Sequence, residues 1–376
     1  MMAGAPPLPF AESAGISKGS RPLTPARVLH PRAPGMLRNI EIFPSVGIYV
    51  DYSMGGGIIA PSRKGGIMQD MITVEHLVKD YGDVHAVRDI SFNVKKGELF
   101  AFLGLNGAGK STTINILSTV LPKTSGKVTV DGLDLDREKD AIKRRIGIVF
   151  QGSVLDDRLT VGDNLTVRAS FYGLRGKALK ARVAEVTELF GLRDILSRPY
   201  GKLSGGQRRR ADVARGLIHR PSILFLDEPT TGLDPQTRRR VWDVLHSLRK
   251  ETGMTLFLTT HYMEEAADAD TVVIMDDGVI VARGTPHELK TLYSGDYVKL
   301  YRPRDAETDA LLGRMGAEFD YEGECYRVRT DGTAAARDLI LAHPELAEDF
   351  EVVKGNMDDV FLRVTGKKLS GEHNYE

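Results

Sequence analysis

The chain has 376 residues, enough for one or two compact domains plus tails. Its 51 basic and 51 acidic residues cancel, so the total charge provides no strong steering toward nucleic acid. The single cysteine, Cys325, excludes an internal disulfide and suits a reducing compartment. No apolar run approaches the ~18–20 residues of a membrane span, so work at a membrane would need another chain to supply the spans.

Residues 1–70 are dense in Pro and Gly, as in Ala5-Pro6-Pro7-Leu8-Pro9 and Gly55-Gly56-Gly57, and hold no sustained period of 2 or 3.6. They read as a disordered leader. Scattered Arg and few acids resemble a transit peptide, but the prolines oppose the amphipathic helix such a peptide needs. Met68 and Met71 stand just ahead of the patterned sequence. The leader is therefore expected to be non-functional and to lie upstream of the natural start.

From Ile72 the pattern sharpens. Ile72 to Leu77 alternates as a strand and Ala86 to Val94 as another. Between them, Tyr81 could lie flat against an adenine ring or be an ordinary half-buried Tyr. The apolar run Leu99 to Leu103 predicts a buried strand. Gly104-Leu105-Asn106-Gly107-Ala108-Gly109-Lys110-Ser111-Thr112 follows, and then a helix from Thr113. Strand, Gly-rich loop and helix together are the context of a phosphate-binding loop. Its glycines let backbone N–H groups turn inward on phosphate oxygens, and the helix start adds further free N–H groups. Lys110 supplies a point charge for the outer phosphates, and Ser111 a hydroxyl for Mg²⁺.

Lys143 to Gln151 enters another buried strand, and Gln151 at its end could contact Mg²⁺ or simply face solvent. Residues 153–215 change to helical spacing and read as a helical insertion. Within it, Ser204-Gly205-Gly206-Gln207 before a helix makes a second anion-binding helix start. The run Arg208-Arg209-Arg210 reads as a solvated helix face rather than a nucleic-acid contact.

Ser222 to Leu226 predicts a buried strand ending on Asp227 and Glu228. Two carboxylates at an apolar strand end call for a function, because burying bare charge is costly. Asp227 near a Mg²⁺ ion and Glu228 as base toward an attacking water supply one. A tight loop carries Leu233-Asp234-Pro235, and a helix follows from about Gln236 to Lys250. Met254 to Thr260 is the next strand and ends on His261, at the sheet edge where open α/β folds hold ligands. Thr271 to Arg283 predicts a hairpin. Residues 295–366 alternate strands and helices as a small α+β module without an acid–base or metal cluster, and 367–376 form a polar tail.

In this order the motifs resemble the ATPase subunit of ATP-binding-cassette (ABC) transporters over about residues 72–290. Tyr81 matches that family's adenine-stacking aromatic, Gly104 to Ser111 its Walker A loop, and Gln151 its Q-loop. Leu203 to Gln207 match the signature, Ile223 to Glu228 the Walker B strand and catalytic base, Leu233 to Pro235 the D-loop, and His261 the switch histidine. The resemblance implies an α/β P-loop ATPase core over 71–290, with a helical subdomain and an antiparallel β subdomain, followed by an accessory domain over 295–366. It implies ATP and Mg²⁺ as cofactors, with Ser111, Gln151 and Asp227 near the metal and Lys110, Gln151, Glu228 and His261 in catalysis. It also implies a head-to-tail homodimer in which Ser204 and Gly206 complete the loop of the partner, with Gly205, Gln207 and Asp234 among the nucleotide-binding residues. A permease on a separate chain and a place on the cytoplasmic face of the membrane follow. No nucleic-acid partner is expected.

The run Arg208 to Arg215 and the terminal Met357-Asp358-Asp359-Val360-Phe361-Leu362 are similar to drug and antibiotic exporters of the daunorubicin-resistance type. The leader and the intact Gln207, where several such proteins carry Met, depart from that type. Alternatives are a soluble cassette ATPase acting on ribosomes or nucleic acid, and a non-transport ATPase of a membrane complex. A single cassette, and the lack of a long heptad array between Lys110 and Asp227, disfavour the first.

Overall fold

The computed structural model describes residues 70–367, together with the backbone of four strands, Ala26–Arg32, Met36–Phe43, Ile48–Asp51 and Ile58–Ile59. The segment read as a disordered leader thus contains strand backbone, paired antiparallel in succession, whose last member joins Val279–Gly284. Runs such as Ile40-Glu41-Ile42-Phe43 have the β-branched, period-two character of a strand, which the Pro- and Gly-rich composition around them obscures. The rest of the leader, and the tail beyond residue 367, lie outside the described residues.

The main sheet continues from Val279–Gly284 through Thr271–Asp276, Leu99–Leu103, Thr255–Thr260 and Ile223–Asp227 to Ile146–Val149. The last five of these strands are parallel, and only the hairpin Thr271–Gly284 is antiparallel. Leu99–Leu103, Ile223–Asp227 and Thr255–Thr260 are buried at every residue, as expected for strands covered on both faces. One face packs Phe92, Phe100, Phe102, Phe225 and Phe257 together, with ring centroids of successive neighbours 5.0–5.6 Å apart. Each such ring contributes roughly 1.5–3 kcal/mol on burial.

A second, antiparallel sheet of Val84–Lys95, Asp70–Tyr81, Ser125–Val130 and Leu133–Asp134 shares that aromatic face. The other face is covered by the helical region, Val161–Phe171, Gly176–Leu189 and Gly205–Leu217.

The C-terminal module is a four-stranded sheet ordered Phe319–Glu322, Cys325–Thr330, Asp296–Leu300, Phe350–Lys354. Its own small core comprises Val298, Leu300, Leu312, Tyr326, Val328, Ala336 and Leu346. The last helix, Met357–Thr365, does not join that core. Met357, Val360 and Phe361 are buried in the main core beside Met263 and Ala266. The module is therefore held to the ATPase-like core by its own final helix, a packing relation that chain order does not reveal.

Candidate nucleotide site

Strand register alone assembles the site. Leu103 is paired with Thr260, Thr259 with Asp227, and Leu226 with Val149. One or two residues further on, Gly104, His261, Glu228 and Gln151 all emerge at the same carboxyl edge of the parallel sheet, the edge where α/β folds bind ligands.

The loop after Leu103 is shaped by backbone proximity. A Cβ on Gly104 would lie 2.4 Å from the Met275 carbonyl oxygen, and one on Gly109 2.5 Å from that of Ala86. Gly109 also has φ +98°, in the left-handed region, and starts the helix Lys110–Leu117. Lys110 is buried. Its Nζ donates to the Gly104 carbonyl at 2.7 Å and the Leu105 carbonyl at 3.0 Å, so the ammonium lies across the loop. Burial pulls this ammonium below its usual range, and the carboxylates of Glu228 and Asp227 oppose that effect. Asn106 and Gly107 are exposed at the mouth of the loop, while Ala108 packs inward, and Thr112 continues the helix.

Ser111 Oγ donates to Asp227 Oδ1 at 3.0 Å, and the Thr259 hydroxyl donates to the same oxygen. A helix-start hydroxyl beside a carboxylate, with the Gln151 amide nearby, is a hard-oxygen donor set of the kind Mg²⁺ takes. Among the described residues no group of three or more His, Cys, Asp and Glu could hold a metal. A Mg²⁺ ion here would draw its remaining ligands from phosphate oxygens and water, as is usual for that ion.

Glu228 is buried, and its backbone is left-handed, φ +46°. Non-glycine residues are held there at a cost of about 1–2 kcal/mol, and such strain clusters at functional sites. Its Oε2 accepts from Gln151 Nε2 at 3.0 Å and from the Thr231 hydroxyl at 3.3 Å. His261 Nδ1 stands 3.3 Å from Glu228 Oε1, close enough for an ion pair but without hydrogen-bond alignment.

Tyr81 sits on the turn of the antiparallel sheet, 48% exposed, with Lys79 Nζ 4.7 Å from its ring centroid. The Lys79 ammonium thus covers one face of a half-exposed ring. Ser204 caps the helix Gly205–Leu217 in a reciprocal box with Gln207. Asp234 caps Pro235–Thr252 by accepting from the Thr237 N–H at 2.9 Å and the Thr237 hydroxyl at 2.6 Å, which hold its carboxyl below the usual range. The two helix starts are neighbours: a Cβ on Gly206 would lie 3.3 Å from Thr237 Cγ2. Ser204, Gly205 and Asp234 are exposed, and their polar contacts are these local ones rather than to the loop 104–112.

One expectation is overturned at Arg209. The basic run was expected to face solvent, yet Arg209 is 6% exposed. Its guanidinium donates to the carbonyls of Phe150 at 2.6 Å, Asp227 at 3.2 Å, Glu228 at 2.8 Å and Pro229. The physical reason is that segments leaving a sheet present carbonyls without ladder partners, and a planar five-donor fork can satisfy several at once. Helical periodicity carried a signal, because Arg209 shares a face with the buried Asp212, Val213 and Gly216. Sequence reasoning also missed Glu265, buried behind the site with three donors around it.

The fold and the site define a P-loop ATPase. The ABC transporter family profile matches residues 87–231. The daunorubicin/doxorubicin resistance ATP-binding protein DrrA of Streptomyces peucetius is 38% identical over 307 residues, covering 78% of this chain and 92% of that protein. The linearmycin resistance ATP-binding protein LnrL of Bacillus subtilis is 42% identical over 310 residues, covering 80% and 99%. The Nod factor export ATP-binding protein I of Ralstonia nicotianae is 36% identical, covering 80% and 95%. Among solved structures, the dimeric post-hydrolysis state of the cassette MJ0796 bound to ADP and Pi superposes with TM-score 0.54 at 28% identity, covering 57% of this chain and 98% of that one. The chain belongs to the ABC transporter family of ATP-binding proteins. Its activity is that of the family, ATP hydrolysis.

Proposed function

We propose that this chain powers an exporter whose membrane-spanning permease is a separate polypeptide, and that its cargo is a drug, antibiotic or lipid-like molecule. The observation that carries the reading is the convergence of Lys110, Ser111–Asp227 and Gln151–Glu228–His261 at one sheet edge. The resistance and Nod factor export names of the relatives support the cargo class. Among the described residues no helix is long and apolar enough to cross a membrane, so the spans would come from the other chain.

In this reading ATP stacks its adenine on Tyr81, and the backbone N–H groups from Gly104 to Thr112 cradle its phosphates. Lys110 Nζ leaves the Gly104 and Leu105 carbonyls for the outer phosphates. Ser111, Asp227 and Gln151 would hold Mg²⁺, which would supply positive charge against that developing on the phosphates. Glu228 accepts the proton of a water attacking the γ-phosphorus in line, and His261 orients that water, with ADP as leaving group. Two copies meet head to tail, so that Ser204 and Gly206 of the partner subunit close over the triphosphate. Gly205 and Gln207 shape that helix start, and Asp234 lies beside it.

A cavity of about 660 Å³ among the ends of the helices Lys139–Arg145, Val161–Phe171 and Gly205–Leu217 and the face of Gly176–Leu189, bordered by Arg144, Phe171, Leu174, Arg182 and His219, suits a helix of the permease, with Phe171 75% exposed at its rim. The chain would thus work on the cytoplasmic face of the membrane.

Glu228→Gln tests the site. It is expected to lower steady-state ATPase by about 10²-fold or more and to accumulate an ATP-bound dimer on size-exclusion chromatography. Unchanged turnover would overturn the assignment. Co-purification of a multi-span membrane protein from solubilised membranes tests the partner, and co-sedimentation with ribosomes instead would favour a soluble role.

A further inference from the structure

Behind the edge that carries Glu228 and His261 lies a carboxylate outside the mechanism above. Glu265 is 4% exposed, on the short helix Met263–Ala267. It accepts from three neutral donors on three different segments: the Thr230 hydroxyl, the Thr260 hydroxyl at 2.6 Å, and Trp242 Nε1 at 3.1 Å. The three donors are neutral, while the buried Arg209 guanidinium lies near enough to interact with the carboxylate's charge; a buried carboxylate is costly unless its hydrogen bonds are complete, so its geometry is demanding.

Each donor leads to a part of the site. Thr260 precedes His261, and its hydroxyl also accepts from the Tyr262 N–H at 2.9 Å, so one oxygen brackets the histidine on both sides. Thr230 lies two residues past Glu228, in the turn where the Thr231 hydroxyl reaches the Glu228 carboxylate. Trp242 belongs to the helix capped by Asp234. The same helix reaches the switch segment a second time, where Arg238 lies 4.4 Å from the centroid of the Tyr262 ring and 3.2 Å from Glu264.

We propose that Glu265 is a positioning residue for hydrolysis, tying the His261 segment, the turn after Glu228 and the Asp234 helix into one unit. The proposal rests on the roles assigned to Glu228 and His261. Its effect is on alignment: the water held between the two side chains is in line only while their backbones keep their spacing, and small misplacement of such groups costs up to about 10²-fold. ATP binding uses the loop 104–112 and Tyr81, which Glu265 does not touch.

The test measures kcat and KM for ATP in the full-length protein carrying Glu265→Ala, Glu265→Gln or Trp242→Phe, with Glu228→Gln as reference. Glu265→Ala is expected to lower kcat about 10–100-fold with KM within twofold. Glu265→Gln, which keeps one acceptor oxygen, should recover part of the loss. Trp242→Phe removes one donor while keeping an aromatic, though smaller, ring, so it should lower kcat severalfold even if Glu265→Ala does not fold. In a Glu228→Gln background, Glu265→Ala should still form the ATP-bound dimer. Wild-type kcat in the Glu265 and Trp242 variants, with Glu228→Gln inactive, would overturn the positioning role alone. A loss that appears in KM or in dimer formation would reduce Glu265 to a structural residue. Wild-type turnover in Glu228→Gln would overturn the site reading and this proposal together.

Discussion

Gln151 Nε2 donates to Glu228 Oε2 over 3.0 Å, joining the segment that leaves for the helical region to the carboxylate at the end of Ile223–Asp227. The two residues are 77 apart in sequence and meet because their strands are register-paired neighbours. The amide donor steadies the carboxylate, and in the proposed site its oxygen would be a ligand of Mg²⁺. Gln151→Ala is expected to lower turnover about tenfold and to raise the Mg²⁺ concentration for half-maximal activity, read from phosphate release across a Mg²⁺ titration. A Mg²⁺ dependence identical to wild type would remove Gln151 from the metal site.

Lys110 is the only side chain whose ammonium lies inside the loop 104–110 among the described contacts of that loop. A ligand that binds only the folded state raises the melting temperature in proportion to RT ln(1 + [L]/Kd). At ATP about 100-fold above Kd the gain is ~2.7 kcal/mol, and Lys110→Ala should lose most of it. Thermal unfolding with and without ATP checks this; an undiminished shift would refute a phosphate role for Lys110.

Arg209 satisfies four carbonyls at the strand ends that carry the site. Arg209→Ala would remove these donations, leaving the Glu228 carbonyl only its longer bond from the Thr231 N–H, and should destabilise the protein by ~3–5 kcal/mol, as breaking a buried charged network does. Arg209→Lys should restore less than half, because an ammonium on a flexible stem cannot span a fork's positions. Denaturant unfolding of both variants decides the point.

His219 stacks on Tyr172 with centroids 3.7 Å apart, and its Nε2 donates to the Ile146 carbonyl at 2.9 Å. Burial, with Arg168, Arg182 and Arg215 nearby, pulls its pKa from 6.5 to about 4. In that window the unfolded chain takes up a proton that the folded chain refuses, so stability falls as pH drops from about 7 toward 4, by up to ~3 kcal/mol. His219→Gln keeps a donor and removes the titration. Melting curves between pH 5 and 7.5 should therefore show a flatter pH dependence in the variant than in wild type.

The sequence by itself determined the main strands and helices between Ile72 and Arg283, the P-loop between Leu103 and Lys110, and the paired acids Asp227 and Glu228, but not the four strands within residues 26–59. It could do so because glycine spacing, apolar runs and strand-end charge are local properties with local causes. The ambiguous single residues, Tyr81, Gln151 and His261, became interpretable only as a set in fixed order.

Only the tertiary structure decided what Arg208-Arg209-Arg210 does, because which arginine turns inward depends on carbonyls supplied by strands 18 and 59 residues away. It alone revealed Glu265 as a junction of three segments, and it alone moved Met357, Val360 and Phe361 out of their own module into the main core. The reason is common to all three: hydrogen-bond completion and burial are settled between segments distant in sequence, and no period within one segment records them.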